Sequence, residues 1–226
     1  MSNKEKYRGN KQKPHKNTYS NKYNKRANYN QQKANVWLLL PIIFVMSVLP
    51  FIVKLKEYQA NLSEFSWFTY NDLYTDFFLY YKQSFFIITT FIIAAIVIYR
   101  VYTDRKNLVN SRILIPLAVY AGLALLSSIF SKYRRYSFSG IHEHFESIFV
   151  ILGYCLIVYY CMQVIKTEED VRLIVNCFVV SVIVMSLLGL TQYMGKDFFA
   201  TDLGLKMILP SEHWSTRDTV QFNFEK

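Results

Sequence analysis

Five blocks of about 20 apolar residues, nearly free of charge, govern what this chain can fold into: Val36–Leu55, Ser84–Thr103, Ile113–Ser131, Ser147–Ile165 and Leu173–Tyr193. A helix rises about 1.5 Å per residue, so a block of this length covers the roughly 30 Å hydrocarbon core of a bilayer. A helix on the surface of a soluble protein buries one stripe and shows polar residues on the other. These blocks are apolar all round, with Lys54 and Arg100 confined to block ends. The pattern predicts an all-α fold, a polytopic transmembrane helical bundle of five spans over residues 36–194.

Residues 1–35 have the opposite character. They hold ten Lys/Arg against a single Glu and almost no aliphatic residue. Such a segment buries too little surface to offset its chain entropy, which predicts a disordered basic tail. It carries most of the formal net charge of +10, so that charge describes a tail and not a basic fold. Interleaved tyrosines would suit RNA or anionic lipid, but direct attachment to a span points to an orientation signal, with no nucleic acid partner. The tail is then cytoplasmic. The loop DRKNLVNSR, Asp104 to Arg112, is basic and also falls inside, as the positive-inside rule requires. The loop Lys132–Glu146 breaks the rule, because Lys132, Arg134 and Arg135 fall on the outer face. Cys155, Cys161 and Cys177 all lie within spans without CxxC spacing and read as small packing residues.

Three stretches carry a family likeness. DFFLYYKQSFFIITTFI, Asp76 to Ile92, is an aromatic-rich outer loop that ends in Tyr-Tyr-Lys and enters the second span. SFSGIHEHFESIFVILGYCLIVYY, Ser137 to Tyr160, sets a Gly before a polar turn, Glu146, and a span with an early Tyr154. GLTQYMGKDFFATDLG, Gly189 to Gly204, closes the fifth span with a Gln-Tyr pair and opens the last segment, residues 195–226, with a Gly-x-Asp-Phe turn. In this order the chain resembles the N-terminal half of the O-antigen ligase and polymerase family, membrane glycosyltransferases acting on undecaprenyl diphosphate-linked glycans. The stretch IHEHFES departs from the family pattern, which often has an Arg shortly before the Glu and a Gly after it. The resemblance implies a multi-pass protein of a bacterial inner or plasma membrane whose partners are the lipid bilayer and a lipid-linked glycan. It implies no cofactor, since the lipid diphosphate is itself the activated donor. It also implies that most catalytic groups belong to a later half of the enzyme, supplied by further sequence or by a second polypeptide.

The residues that such chemistry would use are Arg134, Arg135, Glu146 and Lys82 as substrate-binding groups. Guanidinium groups grip a diphosphate bidentately. A carboxylate at the end of a span orients an arginine or accepts from a sugar hydroxyl. Each has a plainer reading: Arg and Lys anchor at the interface, and Glu146 with Ser147 favours the start of the following helix. Gln192 and Tyr193 line a glycan path or simply belong to the interfacial belt. His142, Glu143, His144 and Glu146 invite a metal reading, but His-x-His on a helix diverges by about 200° and no further ligand has supporting spacing, so no metal site is expected. Ala118-x-x-x-Gly122 marks a close helix contact in the third span. A non-catalytic scaffold with a recruiting tail is the alternative from another class. A transporter is disfavoured by the lack of a central charge or an obvious break in any span.

Overall fold

The computed structural model describes residues 36–59, 73–103, 111–140, 144–211 and 213–214. The expected tail, residues 1–35, lies outside them, as do His142 and Glu143. The described chain is mostly helical. Helix α1 spans Val36–Ile43 and continues through a π segment, Phe44–Val48, into a 3₁₀ turn, Leu49–Phe51. Helix α2 is Tyr80–Thr103, α3 Leu114–Phe130, α4 Arg134–Ser139, α5 Ile148–Val164, α6 Glu168–Tyr193 and α7 Asp202–Ile208. Strands β1, Lys56–Gln59, and β2, Leu73–Asp76, pair antiparallel.

Two helices, α2 and α6, are long and apolar enough to cross a membrane. The first, third and fourth apolar blocks form shorter helical segments, Val36–Phe51, Leu114–Phe130 and Ile148–Val164. At about 1.5 Å per residue the last two reach about 25 Å, the lower bound for a spanning helix. Apolar side chains face outward along these elements: Phe91 is 62% exposed, Leu123 62% and Val180 60%. In α3 no side chain among the described residues is buried. Water disfavours continuous apolar surface of this kind, and an acyl environment accepts it.

Hydrogen bonds fix the direction in which the segments run. Gln83 donates to the Ser147 hydroxyl at 3.4 Å and Arg100 to the Gln163 carbonyl at 3.3 Å, so α2 and α5 are parallel. Tyr160 near the end of α5 donates to the Leu38 carbonyl near the start of α1 at 2.7 Å, which makes those two antiparallel. The starts of α1 and α6 meet the end of α5 in one core of Leu39, Ile42, Ile93, Tyr160, Val164 and Ile174. The five long segments thus alternate in direction along the chain. One end of the bundle carries β1–β2, α4 and α7 and is called the hairpin end below.

The sequence expectations need four corrections. The segment before α2 is not loop throughout: it contains the β1–β2 pair, in which one tyrosine from each strand faces the other, the Tyr58 and Tyr74 rings stacked at 6.0 Å. The first apolar block is broken, because Pro41 has no N–H to donate and the helix widens to a π turn at Phe44. Gly122 has open space around it, so Ala118-x-x-x-Gly122 makes no close contact. The tight approach occurs at Gly153 of α5, where an added Cβ would lie 2.7 Å from Phe86 Cε1 and 2.8 Å from Thr90 Cγ2 of α2. Finally, Ser147 occupies the position before α5 but makes no side-chain cap; its hydroxyl receives Gln83 instead.

Local chemistry explains the helix starts. Asp76 ends β2 and its carboxylate accepts from the N–H groups of Leu79 at 2.9 Å and Tyr80 at 2.7 Å, capping α2. At α6, Thr167 accepts from the Asp170 N–H at 3.1 Å while Asp170 accepts from the Thr167 N–H at 2.9 Å. That reciprocal pair is a capping box, and it sets a sharp turn between α5 and α6.

Candidate functional site

The chemistry-bearing residues gather at the hairpin end around two cavities. The larger, about 510 Å³, is lined by Pro50, Phe51 and Val53 after α1, by Phe77, Phe78 and Lys82 before and within α2, by Met185, Leu188, Gly189 and Gln192 of α6, and by Phe199 and Ile208. Its walls are apolar apart from Lys82 and Gln192. A second apolar cluster, Leu55, Ile208 and Leu209, closes its floor, and the Leu55 N–H donates to the Ile208 carbonyl at 2.8 Å.

The Gly-x-Asp-Phe turn holds this wall in place. Gly195 adopts φ 77°, which a side chain disfavours, and the chain reverses there. Asp197 Oδ1 then accepts from the Phe199 N–H at 2.9 Å and from Gln192 Nε2 at 3.2 Å. The Gln-Tyr pair and the following turn are therefore one hydrogen-bonded unit. Asp197 Oδ2 is buried with no hydrogen-bond partner among the described residues. Gly204 is also required, since a Cβ there would meet the Phe199 Cα at 2.6 Å.

Lysines rest on aromatic rings across this end. Lys82 Nζ lies 5.5 Å from the centre of the Phe78 ring, Lys54 5.2 Å from Tyr81, and Lys56 5.4 Å from Tyr80. Each ammonium is held by the negative face of a ring while its apolar stem covers hydrophobic surface. Lys82 is the one that lines the cavity.

The second cavity, about 490 Å³, is a notch between α3 and α5, lined by Ser128, Ser131, Tyr133, Tyr136, Ser137, His144, Glu146, Ile148 and Ile151. Glu146 belongs to it. Arg134 and Arg135, in the first turn of α4, are exposed and line neither cavity. The structure thus brings Lys82 together with Gln192, and Glu146 together with His144, but does not gather the four expected residues at one point. Among the described residues no three His, Cys, Asp or Glu side chains are placed to hold a metal ion.

Sequence reading missed Phe145. It sits at φ 51°, in the left-handed region that bulky residues avoid, and is 7% exposed. Its ring packs edge-on to Tyr58 of β1 at 5.6 Å and Tyr80 of α2 at 5.7 Å. Gly140, at φ 85°, makes room for it: a Cβ there would meet the Phe145 backbone at 2.9 Å. Packing of the buried ring offsets the backbone strain, and the turn that carries Glu146 is pinned to the hairpin. No signal in the stretch IHEHFES discloses this conformation.

Fold and site together define a helical chain suited to a membrane, with an apolar cavity and a polar notch at one end. No family model matches the chain, and no curated protein or solved structure matches it either.

Proposed function

We propose that this chain is the N-terminal half of a membrane glycosyltransferase of the O-antigen ligase type, crossing a bacterial cell membrane five times. In this reading the tail and the Arg100 end are cytoplasmic and the hairpin end is extracytoplasmic. The observation that carries the reading is the apolar cavity with Lys82 at its edge. Walls of Phe, Leu, Met and Pro match a polyprenyl segment, and one ammonium at headgroup depth matches a phosphate. Gln192, from the Gln-Tyr pair that carries the family likeness, lines this cavity, and Asp197 of the Gly-x-Asp-Phe turn bonds both to it and to the Phe199 N–H beside the cavity, which supports the assignment. The decisive diphosphate-binding arginines belong to a further half, in the same polypeptide or a second one. Their task is to stabilise the leaving diphosphate by preorganised charge.

Titration of the chain in nanodiscs with undecaprenyl diphosphate, and in parallel with undecaprenol, tests this. Lys82→Gln is expected to weaken diphosphate binding about tenfold, the scale of a lost charge-assisted hydrogen bond, and to leave undecaprenol binding unchanged. Equal affinity of the parent chain for both lipids, or no binding of either, rules the reading out. Loss of cellular function only on deletion of residues 1–35 favours the scaffold alternative.

A further inference from the structure

Helix α6 is the longer of the two helices able to cross a membrane, yet little of it is covered: only its Asp170, Ile174 and Ser181 side chains are buried. On the side turned away from Ile174 and Ser181, the side chains of Asn176, Val180, Ile183, Leu187 and Leu190 form one ridge. Their spacing of four, three, four and three residues keeps all five within about 40° of one line along the helix. The four apolar members are each more than half exposed, and no other large apolar side chain of residues 171–190 reaches half. Asn176 is exposed as well, and its carboxamide has no hydrogen bond among the described residues. Thr89 and Thr90 of α2 and Thr191 of α6, by contrast, donate to carbonyls of their own helices. Asn176 lies one turn beyond Arg172, the last charge before the apolar stretch of α6. In a bilayer it therefore stands among acyl chains, which offer its amide neither donor nor acceptor.

We infer that this ridge is the contact between two copies of the chain, paired α6 to α6 about a two-fold axis along the membrane normal. The amide of Asn176 argues for a second copy in particular. A carboxamide both donates and accepts, so it is its own complement, and an isologous contact brings each such group to itself. Copies of one chain insert with the same orientation, so the two α6 helices lie parallel and Asn176 meets Asn176. Lipid facing the ridge would leave that amide unpaired. The alternating four-three spacing is the seam of a left-handed crossing near 20°, common to coiled coils and membrane bundles, and a single Asn within such a seam fixes register and copy number. The relief suits the pairing as well. Asn176 and Val180 form the lip of a groove of about 410 Å³ whose far wall is Ile43, Ser47 and Phe51, so ridge and hollow lie side by side and each copy offers both. Toward the start of α6 the spacing passes Leu173 and reaches Glu169, which is exposed and lies outside the apolar stretch, where water screens the like charges. None of the five ridge residues lines the Lys82 cavity. The inference shares only its membrane setting with the glycosyltransferase reading.

The test uses the whole chain in phosphatidylcholine vesicles, one portion carrying a donor dye and the other an acceptor dye on an N-terminal tag. Energy transfer followed against the protein-to-lipid ratio is expected to saturate as a monomer–dimer equilibrium. Asn176→Leu is expected to raise the dissociation constant about tenfold, the scale of an amide pair between membrane helices, and Asn176→Gln to retain most of the pairing. Oxidative cross-linking in native membranes gives a second readout. Ile183→Cys and Leu187→Cys should couple into disulfide-linked dimers. Met185→Cys, on the far side of α6, should couple no more than the parent, whose Cys155, Cys161 and Cys177 set the background. Transfer no greater than random mixing overturns the inference, as does a dissociation constant unchanged by Asn176→Leu. Coupling through Met185→Cys as readily as through Ile183→Cys also overturns it. So does coupling of Ile183→Cys to a different polypeptide in place of a second copy, which assigns the ridge to that partner. If Asn176→Leu fails to fold, the cross-linking pattern still decides. A chain that binds undecaprenyl diphosphate but does not pair removes this inference and leaves the glycosyltransferase reading; a paired chain that binds neither lipid does the reverse.

Discussion

Replacing Gly153 by Ala tests the central contact of the bundle. In an isolated helix the change is favourable by about 1 kcal/mol, because Ala loses less backbone entropy than Gly. Here the new methyl carbon would stand 2.7 Å from Phe86 Cε1 and 2.8 Å from Thr90 Cγ2. Ordinary contact begins near 3.4 Å, so α2 and α5 must separate by several tenths of an ångström or the Phe86 ring must turn. That ring also packs against Tyr154 at 4.9 Å, which restricts its escape. Overpacking of this kind costs about 1 to 3 kcal/mol, so the net effect is a loss of up to about 2 kcal/mol despite the better helix former. The assay is thermal unfolding of detergent-solubilised protein. Combining Gly153→Ala with Phe86→Leu should recover part of the loss, since the clashing ring edge is gone. A Gly153→Ala protein more stable than the parent would refute close packing of α2 on α5.

Two further substitutions probe the turns. Asp170→Ala removes the carboxylate that accepts from the N–H groups of Lys166 and Thr167 at 3.0 and 2.9 Å, and is expected to cost about 1 to 2 kcal/mol and raise amide exchange at the start of α6. Phe145→Gly relieves the backbone at φ 51° whereas Phe145→Ala does not, so although both lose the ring contacts with Tyr58 and Tyr80, the Gly protein should melt at the higher temperature; the reverse order would show that the backbone there is unstrained.

The long helices α2 and α6 were legible because hydrophobicity along a sequence reports directly on the medium that a segment tolerates. The irregularity of the first block went unread, although Pro41 is its cause, and so did the capping box in the spacing of Thr167-Glu-Glu-Asp170. Contact partners were another matter. Ala118 and Gly122 share a face of α3, yet spacing alone does not say whether that face meets a helix or lipid; Gly153 had no small residue one turn away to announce it. The site was half legible for a similar reason. Lys82 and Glu146 were found by residue type, but only the parallel placement of α2 and α5 puts their neighbourhoods side by side, and only the left-handed Phe145 fixes the turn between them.

The pairing of α2 with α5 also has a consequence for synthesis. Residues 104–147 must be made before α5 can begin, which at about 5 to 20 residues per second takes roughly 2 to 9 s. Throughout that interval α2 has no partner for the face that carries Thr89 and Thr90. Both hydroxyls are already provided for: Thr89 donates to the Phe85 carbonyl and Thr90 to the Ile87 carbonyl, each at 2.8 Å. An α2 made ahead of α5 therefore leaves neither threonine hydroxyl without a hydrogen bond while that face is uncovered.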